Sequence, residues 1–211
     1  ASGPRGRVIE KDVREFADAL QQSSKQPSIL KGLPEPAEIV EITGMRKSIA
    51  DHMRTSLLDS AQLSFFMDID VTEAQLLKKQ SSSNKITISL AHIITKACAL
   101  SLGKTPKLNT VISEGKILGF KEVNIGIAVA LKDGLIVPVI RNADQKTLED
   151  IASETTSLAD RAKKGTLNPD EVLGGTFTLS VLGVVDGFTP ILNAGQSAIL
   201  GVGRSSEKPV V

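Results

Sequence analysis

Tryptophan and tyrosine are absent from these 211 residues, and aromatics make up only 3% of them. With 25 Lys+Arg against 24 Asp+Glu and a formal net charge of +1, the chain has neither the basic field nor the stacking platforms that nucleic-acid binding uses. Cysteine is nearly absent too. Cys98 stands alone, which excludes an intrachain disulfide framework and any multi-cysteine metal site, and fits a reducing compartment. It lies in the apolar stretch "AHIITKACALSL", where a core thiol fits better than a nucleophile. The two histidines, His52 and His92, fall on predicted helices without a carboxylate or cysteine at a recognised ligand spacing, so both read as helix-surface or core residues and no metal is expected. No apolar run approaches the ~18 residues a membrane span needs, and no secretory signal opens the sequence, so a soluble protein is expected. Nor is there a complete phosphate-binding loop. "SGPRG" and "LGGTF" lack the full pattern, and "NIGIAVA" reads as strand.

What is present, 41% hydrophobic and 23% charged residues, suffices for one sizeable core and an appendage. Residues 1–20 combine a Gly/Pro turn with a short helix over 11–20 carrying Val13, Phe16, Ala17 and Leu20, too little to fold alone. Residues 21–37, rich in Gln, Ser and Pro, read as a linker. A compact pattern follows. A helix behind a Thr43 cap carries Met45, Ile49, Met53 and Leu57; a strand over 63–71 alternates Leu63, Phe65, Met67, Ile69 and Val71 with polar residues and Phe66. Thr72 and Gln75 form a capping box for the next helix. Ser89 opens another, carrying Leu90, Ile93, Ile94, Ala97 and Leu100, with Gly103 as its stop. Hairpins are predicted at Glu114–Gly115 and Asp133–Gly134. Thr147 and Asp150 cap a helix bearing Leu148, Ile151, Ala152, Leu158 and Ala162 that ends at Gly165; a short helix starts at Asn168–Pro169, and strands near 176–182 and 197–203 follow. The mixture of helices and hairpin-linked strands favours an α/β (α+β) fold, a mixed sheet with helices on one face.

Asp68 and Asp70 share a strand face, as a paired carboxylate would, though alternation on a solvated face explains them more simply. Ser180 is the sharper candidate. It ends a strand of small and β-branched residues beside a glycine turn, where its hydroxyl serves as a nucleophile, as an oxyanion donor, or simply as a bonded strand end.

Five ordered stretches, "GPRGRVIEKDV", "MRKSIADHM", "VNIGIAVALKDGLIVPVIRNAD", "GGTFTLSVLG" and "FTPILNAGQSAILGVGR", resemble the core acyltransferase component of 2-oxo acid dehydrogenase complexes (dihydrolipoamide acyltransferase). The resemblance implies that residues 1–20 are the second half of a peripheral-subunit-binding domain, that 21–37 are a flexible linker, and that 38–211 form most of a catalytic domain. Its implied fold is similar to that of chloramphenicol acetyltransferase. The implied chemistry is acyl transfer between the thiols of dihydrolipoyl and coenzyme A, the lipoyl group riding on a domain outside these residues. Ser180 matches the family's oxyanion-binding serine. Ser89 and Gly203 match positions used for coenzyme A, and Lys78 falls where a cation is often found. Arg5 and Arg7 match a basic turn that grips dihydrolipoamide dehydrogenase and 2-oxo acid dehydrogenase components. The implied assembly is a homotrimer built into a larger core, in the cytoplasm of a prokaryote or the mitochondrial matrix.

The chain departs from that family pattern at two places, where Ala130 replaces a common aspartate and Val181 a common asparagine. The family's general base is a histidine in a "DHRxxDG" stretch downstream of the "ILGVGR…PV" stretch. Residues 1–211 contain no such stretch, and neither His52 nor His92 takes its role, so these residues alone are expected to be a poor acyltransferase. The alternative expectation is a non-catalytic core subunit that binds the dehydrogenase.

Overall fold

The structure, a computed structural model, describes residues 10–23, 32–81, 86–132 and 134–209. The chain divides into a unit of residues 1–41 and a unit of residues 42–211. In the first, α1 (Glu10–Ser23) presents Val13 and Phe16 to solvent and carries the i,i+4 pairs Arg14–Glu10 and Lys11–Glu15. The helix runs past the expected linker boundary at residue 21, since glutamine is a good helix former.

The second unit holds the core. Strands β3 (Ile125–Ile127), β6 (Val139–Ile140), β7 (Phe177–Val181) and β8 (Ile199–Val202) form a mixed sheet in the order β6-β3-β7-β8. Strand β6 runs antiparallel to β3, whereas the β3–β7 and β7–β8 pairs are parallel. Two ribbons stand apart from it, β1 (Thr110–Ser113) with β2 (Lys116–Gly119), and β4 (Val129–Leu131) with β5 (Gly134–Ile136). Side chains alternate along a strand. Ile125 and Ile127 of β3 and Phe177 and Leu179 of β7 therefore point to one face. They meet Ala99 and Leu102 of α4 (Leu90–Lys104) and Ile151 and Leu158 of α5 (Leu148–Lys164) there, in one buried cluster. The opposite face of β7 is left for polar residues.

Helix α5 follows its sequence signals closely. Thr147 Oγ1 accepts the Asp150 N–H at 3.1 Å, and Asp150 Oδ2 accepts the Thr147 N–H and hydroxyl at 3.2 and 2.7 Å. These bonds from Thr147 hold the Asp150 carboxyl below the usual carboxylate range. Gly165 closes the helix in the left-handed region at φ 68°. Thr147→Ala is expected to cost about 1 kcal/mol, read as a lowered Tm; an unchanged Tm would show that the box contributes nothing.

Helix α4 buries a different stripe from the expected one. His92, Thr95, Ala99 and Leu102 face the core, while Ala97 and Leu100 are exposed. Apolar residues surround this helix, so periodicity does not single out the buried side, and it runs through Gly103 to Lys104. Its N-terminus is a capping box in which Ser89 Oγ accepts the His92 N–H and His92 Nδ1 accepts the Ser89 N–H at 3.1 Å. Burial holds the imidazole below its ordinary value of 6.5, and protonation at Nδ1 would break the box. The unfolded chain therefore binds this proton more readily than the folded one. The stability gained from neutral His92 is present above the unfolded value and is lost as pH falls through the folded one. His92→Gln, which can still accept from Ser89, should flatten the dependence of unfolding free energy on pH below neutrality; an unaltered slope would contradict this.

Other local signals give way to longer-range contacts. Thr43 precedes α2 (Gly44–Asp59) but makes no side-chain cap bond. The first turn of α3 (Thr72–Ser81) is capped by Asp70, whose Oδ1 accepts the Thr72 N–H at 2.9 Å; Gln75 reaches instead to Ser205. Residues 60–71 form no strand, and Leu63, Phe65, Phe66, Met67 and Ile69 are all exposed. Alternation marks a face to be covered, and within this chain no strand lies beside it among the described residues. In the second hairpin Leu131 pairs with Gly134, which places the glycine in the strand. A Cβ there would sit 2.8 Å from Ile49 Cδ1 and 3.0 Å from Met45 Sδ, so Gly134 serves close packing of α2.

Candidate active site

Strand β7 and Thr176, the residue before it, carry their hydroxyls on the face turned away from the core. Thr176 and Thr178 are buried and both are bonded: Thr176 Oγ1 donates to Asn109 Oδ1 at 2.6 Å, and Thr178 Oγ1 to Gln196 Oε1 at 2.7 Å. Each amide is anchored in turn. Asn109 Nδ2 donates to the carbonyls of Phe120 and Glu122, and Gln196 Nε2 to that of Gly175 at 2.8 Å. The third hydroxyl in this row, that of Ser180, is half-buried and has no hydrogen-bond partner among the described residues. Its backbone is fixed by pairing with Gly201 of β8. A hydroxyl held on a rigid strand, next to two whose hydrogens are already donated and with its own donor unused, is placed to donate to a bound group.

The side chain of Val181 points the other way, into a cavity of about 220 Å³. Leu90, Ala91 and Ile94 of α4, with Val181 and Val202, make its apolar lining; Gly183, Gly203, Arg204 and Ser205 complete it. The turn after β7 folds back over the end of β8, with Leu182 N–H donating to Val202 O and Arg204 N–H to Val185 O, both at 2.8 Å. This contact is so close that a Cβ at Gly203 would lie 2.2 Å from the carbonyl oxygen of Asp186. A second cavity, of about 410 Å³, lies on the hydroxyl side near Thr176, lined by Asn124, Arg141, Asn193 and Gln196 among others.

Helix α2 and Gln62, shortly after it, grip the segment that leads into β8. Ser56 Oγ donates to the Leu192 carbonyl, Gln62 Oε1 accepts the Leu192 N–H at 3.3 Å, and His52 Nε2 lies 2.8 Å from Asn193 Oδ1. His52 is thus committed to Asn193, His92 to its capping box, and no hydrogen bond joins either to Ser180 among the described residues. Cys98 is half-buried, its thiol pushed up to about 11 by burial, so it is neutral near pH 7 and inert as a nucleophile.

The structure brings some of the expected site residues together and leaves others apart. Gly203 lines the first cavity, Ser89 adjoins it through Leu90, and Ser180 adjoins it through Val181 on the reverse side of the strand. Lys78 is exposed in the last turn of α3 and lies outside the cavity lining. Arg5 and Arg7 lie outside the described residues. Asp68 pairs with Lys208 at 2.9 Å and Asp70 caps α3, so the two carboxylates do not form a couple. Gln196, Asn109 and Arg204 were not signalled by spacing. The one hint for Gln196 is an amide standing at the entrance of an apolar strand.

A family model described as 2-oxoacid dehydrogenases acyltransferase (catalytic domain) matches residues 34–211. The dihydrolipoyllysine-residue acetyltransferase component of the acetoin cleaving system of Bacillus subtilis is 37% identical over 219 residues, covering 99% of this chain and 53% of that protein. Two solved structures superpose with TM-scores of 0.82 at 34% identity, covering 88% of this chain and 80% of theirs. One concerns the role of a serine, a histidine and an asparagine in the catalytic mechanism of Azotobacter vinelandii dihydrolipoamide acetyltransferase; the other is the cubic core of the pyruvate dehydrogenase multienzyme complex. The chain spans about half the length of the Bacillus subtilis relative and of two pyruvate dehydrogenase complex acetyltransferase components that it also matches.

Proposed function

The chain belongs to the family of 2-oxoacid dehydrogenase acyltransferase catalytic domains, and from that premise we propose that it transfers an acyl group between the thiols of dihydrolipoyl and coenzyme A. The observation that carries the reading is the Ser180 hydroxyl, without a partner among the described residues and set on β7 beside two hydroxyls whose hydrogens are already donated. In the transfer, the coenzyme A thiolate attacks the thioester carbonyl, the electron pair moves to the carbonyl oxygen, and Ser180 donates a hydrogen bond to that oxyanion. Collapse of the tetrahedral species expels the dihydrolipoyl thiolate, which takes up a proton. Because Ser180 stabilises charge without forming a bond to carbon, it needs no base of its own. The base acts on the attacking thiol, and neither His52 nor His92 is placed for it.

The cavity behind β7 suits the pantetheine arm of coenzyme A, with Ser89 and Gly203 at its edges and the thiol reaching Ser180 round the strand end. Lys78, exposed on α3, is a contact for the more distant part of the nucleotide. In the same reading residues 1–20 are half of a peripheral-subunit-binding domain that uses Arg5 and Arg7 to grip dihydrolipoamide dehydrogenase or a 2-oxo acid dehydrogenase. Residues 21–37 are its linker, and residues 38–211 build a trimer within a larger core, in the cytoplasm of a prokaryote or the mitochondrial matrix. A second reading, a non-catalytic core subunit, is favoured by Val181, an apolar group in the cavity lining, and by Ala130, both of which stand where the family resemblance has a polar residue. The full-length protein, given acetyl-CoA and dihydrolipoamide, is expected to form acetyl-dihydrolipoamide with turnover. A folded, assembled protein without turnover would overturn catalysis and establish the core-subunit reading.

A further inference from the structure

The cavity behind β7 has a charged rim that acyl transfer itself leaves unused. Arg204, one of its lining residues, donates from Nε to Asp186 Oδ1 at 2.6 Å. The turn bearing Asp186 is already held by main-chain bonds from Leu182 to Val202 and from Arg204 to Val185, so it keeps its shape if the side-chain pair opens. Lys208 stands beside it, paired with Asp68 and close enough to Asp186 to favour the ionised carboxylate. All four side chains are largely exposed, at 52% and 79% for Arg204 and Asp186 and 62% and 89% for Lys208 and Asp68. Exposed pairs of this kind contribute little and exchange readily. The result is an apolar slot whose rim cation is occupied by a carboxylate of its own chain.

A ligand with an extended, largely uncharged arm and a phosphate-bearing head fits that description. The arm fills the slot lined by Leu90, Ile94, Val181 and Val202. The head competes with Asp186 for the guanidinium, and phosphate does so well because it carries more charge than one carboxylate and accepts paired bonds from arginine. A small anion without an arm gains nothing from the slot and meets Asp186 already in place. We propose that Asp186 is a built-in competitor for Arg204, and that their exchange sets the preference of this cavity for phosphate-bearing thiols over uncharged ones. The inference rests on the coenzyme A reading above and adds to it the residues that choose between coenzyme A and pantetheine.

Calorimetric titration of the full-length protein with coenzyme A and, separately, with pantetheine tests it. Arg204→Gln should weaken coenzyme A binding about five- to tenfold and leave pantetheine unchanged; Asp186→Asn should tighten coenzyme A about two- to fivefold, again without effect on pantetheine. Raising salt to about 1 M should shrink both differences, since the rim charges are exposed. Arg204→Lys, which keeps the cation but loses the fork, should fall between wild type and Arg204→Gln, and serves if the glutamine variant does not fold. Equal effects on the two ligands, or none on coenzyme A, would overturn the exchange while leaving coenzyme A binding intact. Failure of the wild-type protein to bind either ligand would overturn the coenzyme A reading, and the exchange with it.

Discussion

Ser180→Ala is expected to lower kcat for acyl transfer by about 10²–10³-fold, the usual cost of removing one oxyanion donor, with little change in the KM for coenzyme A. The size follows from the role. The Ser180 hydroxyl has no partner among the described residues, so its removal orphans no group in the resting protein and leaves the bonds of Thr176 and Thr178 in place. What is lost is one hydrogen bond that strengthens only as charge gathers on the carbonyl oxygen, and such a loss falls on kcat rather than on substrate binding. A nucleophile would behave otherwise. Removing one costs on the order of 10⁶-fold, and a loss of that size in steady-state assays of the full-length protein would contradict the oxyanion role. An unchanged kcat would remove Ser180 from the site altogether.

Gly203→Val is expected to destabilise the domain by about 3 kcal/mol, at the upper end of what overpacking costs, and to abolish coenzyme A binding in the molecules that remain folded. The first Cβ alone would lie 2.2 Å from Asp186 O and 2.9 Å from Val185 O, both backbone atoms that cannot swing aside as a side chain would. Relief requires the turn after β7 to lift, which breaks the Arg204-to-Val185 bond and shifts the wall of the cavity next to Gly183. Gly203 thus reaches the ligand site through the backbone that it lets approach, in addition to any contact of its own. Chemical denaturation and coenzyme A titration of the variant check both halves. Wild-type stability would contradict so close an approach of the turn to β8.

The features legible in the sequence are the local ones. The α5 cap at Thr147, its stop at Gly165, the turn at Glu114–Gly115 and the serine at the end of β7 each depend on residues a few positions apart, and each stands where its pattern places it. The mixed sheet with helices on one face followed from the order of elements, and holds. What escaped the sequence depends on distant partners. Alternation along residues 63–71 signals a face to be buried but cannot name what buries it, and in this chain the segment remains exposed. Periodicity misplaces the stripe of α4 because His92 and Thr95 face the core, where Thr95 bonds the Ala91 carbonyl and His92 its own cap, so polar residues are buried at no loss of bonding. In the candidate site, Ser180 is legible in the sequence, whereas the amides that accept its neighbours' hydrogens are not. Asn109 meets Thr176 across 67 positions and Gln196 meets Thr178 across 18, and only the fold brings them together.

Whether Ser180 ever bonds covalently to the acyl group separates an oxyanion donor from a nucleophile more directly than any rate. The full-length protein should be incubated with acetyl-CoA without dihydrolipoamide, quenched in acid and weighed by intact-mass spectrometry, followed by sequencing of the peptide that spans Ser180. The expected result is an unmodified serine in that peptide, with any added acetyl mass carried by the lipoyl group of the protein itself. An added acetyl group on Ser180 would contradict the oxyanion role and make this serine the acyl carrier.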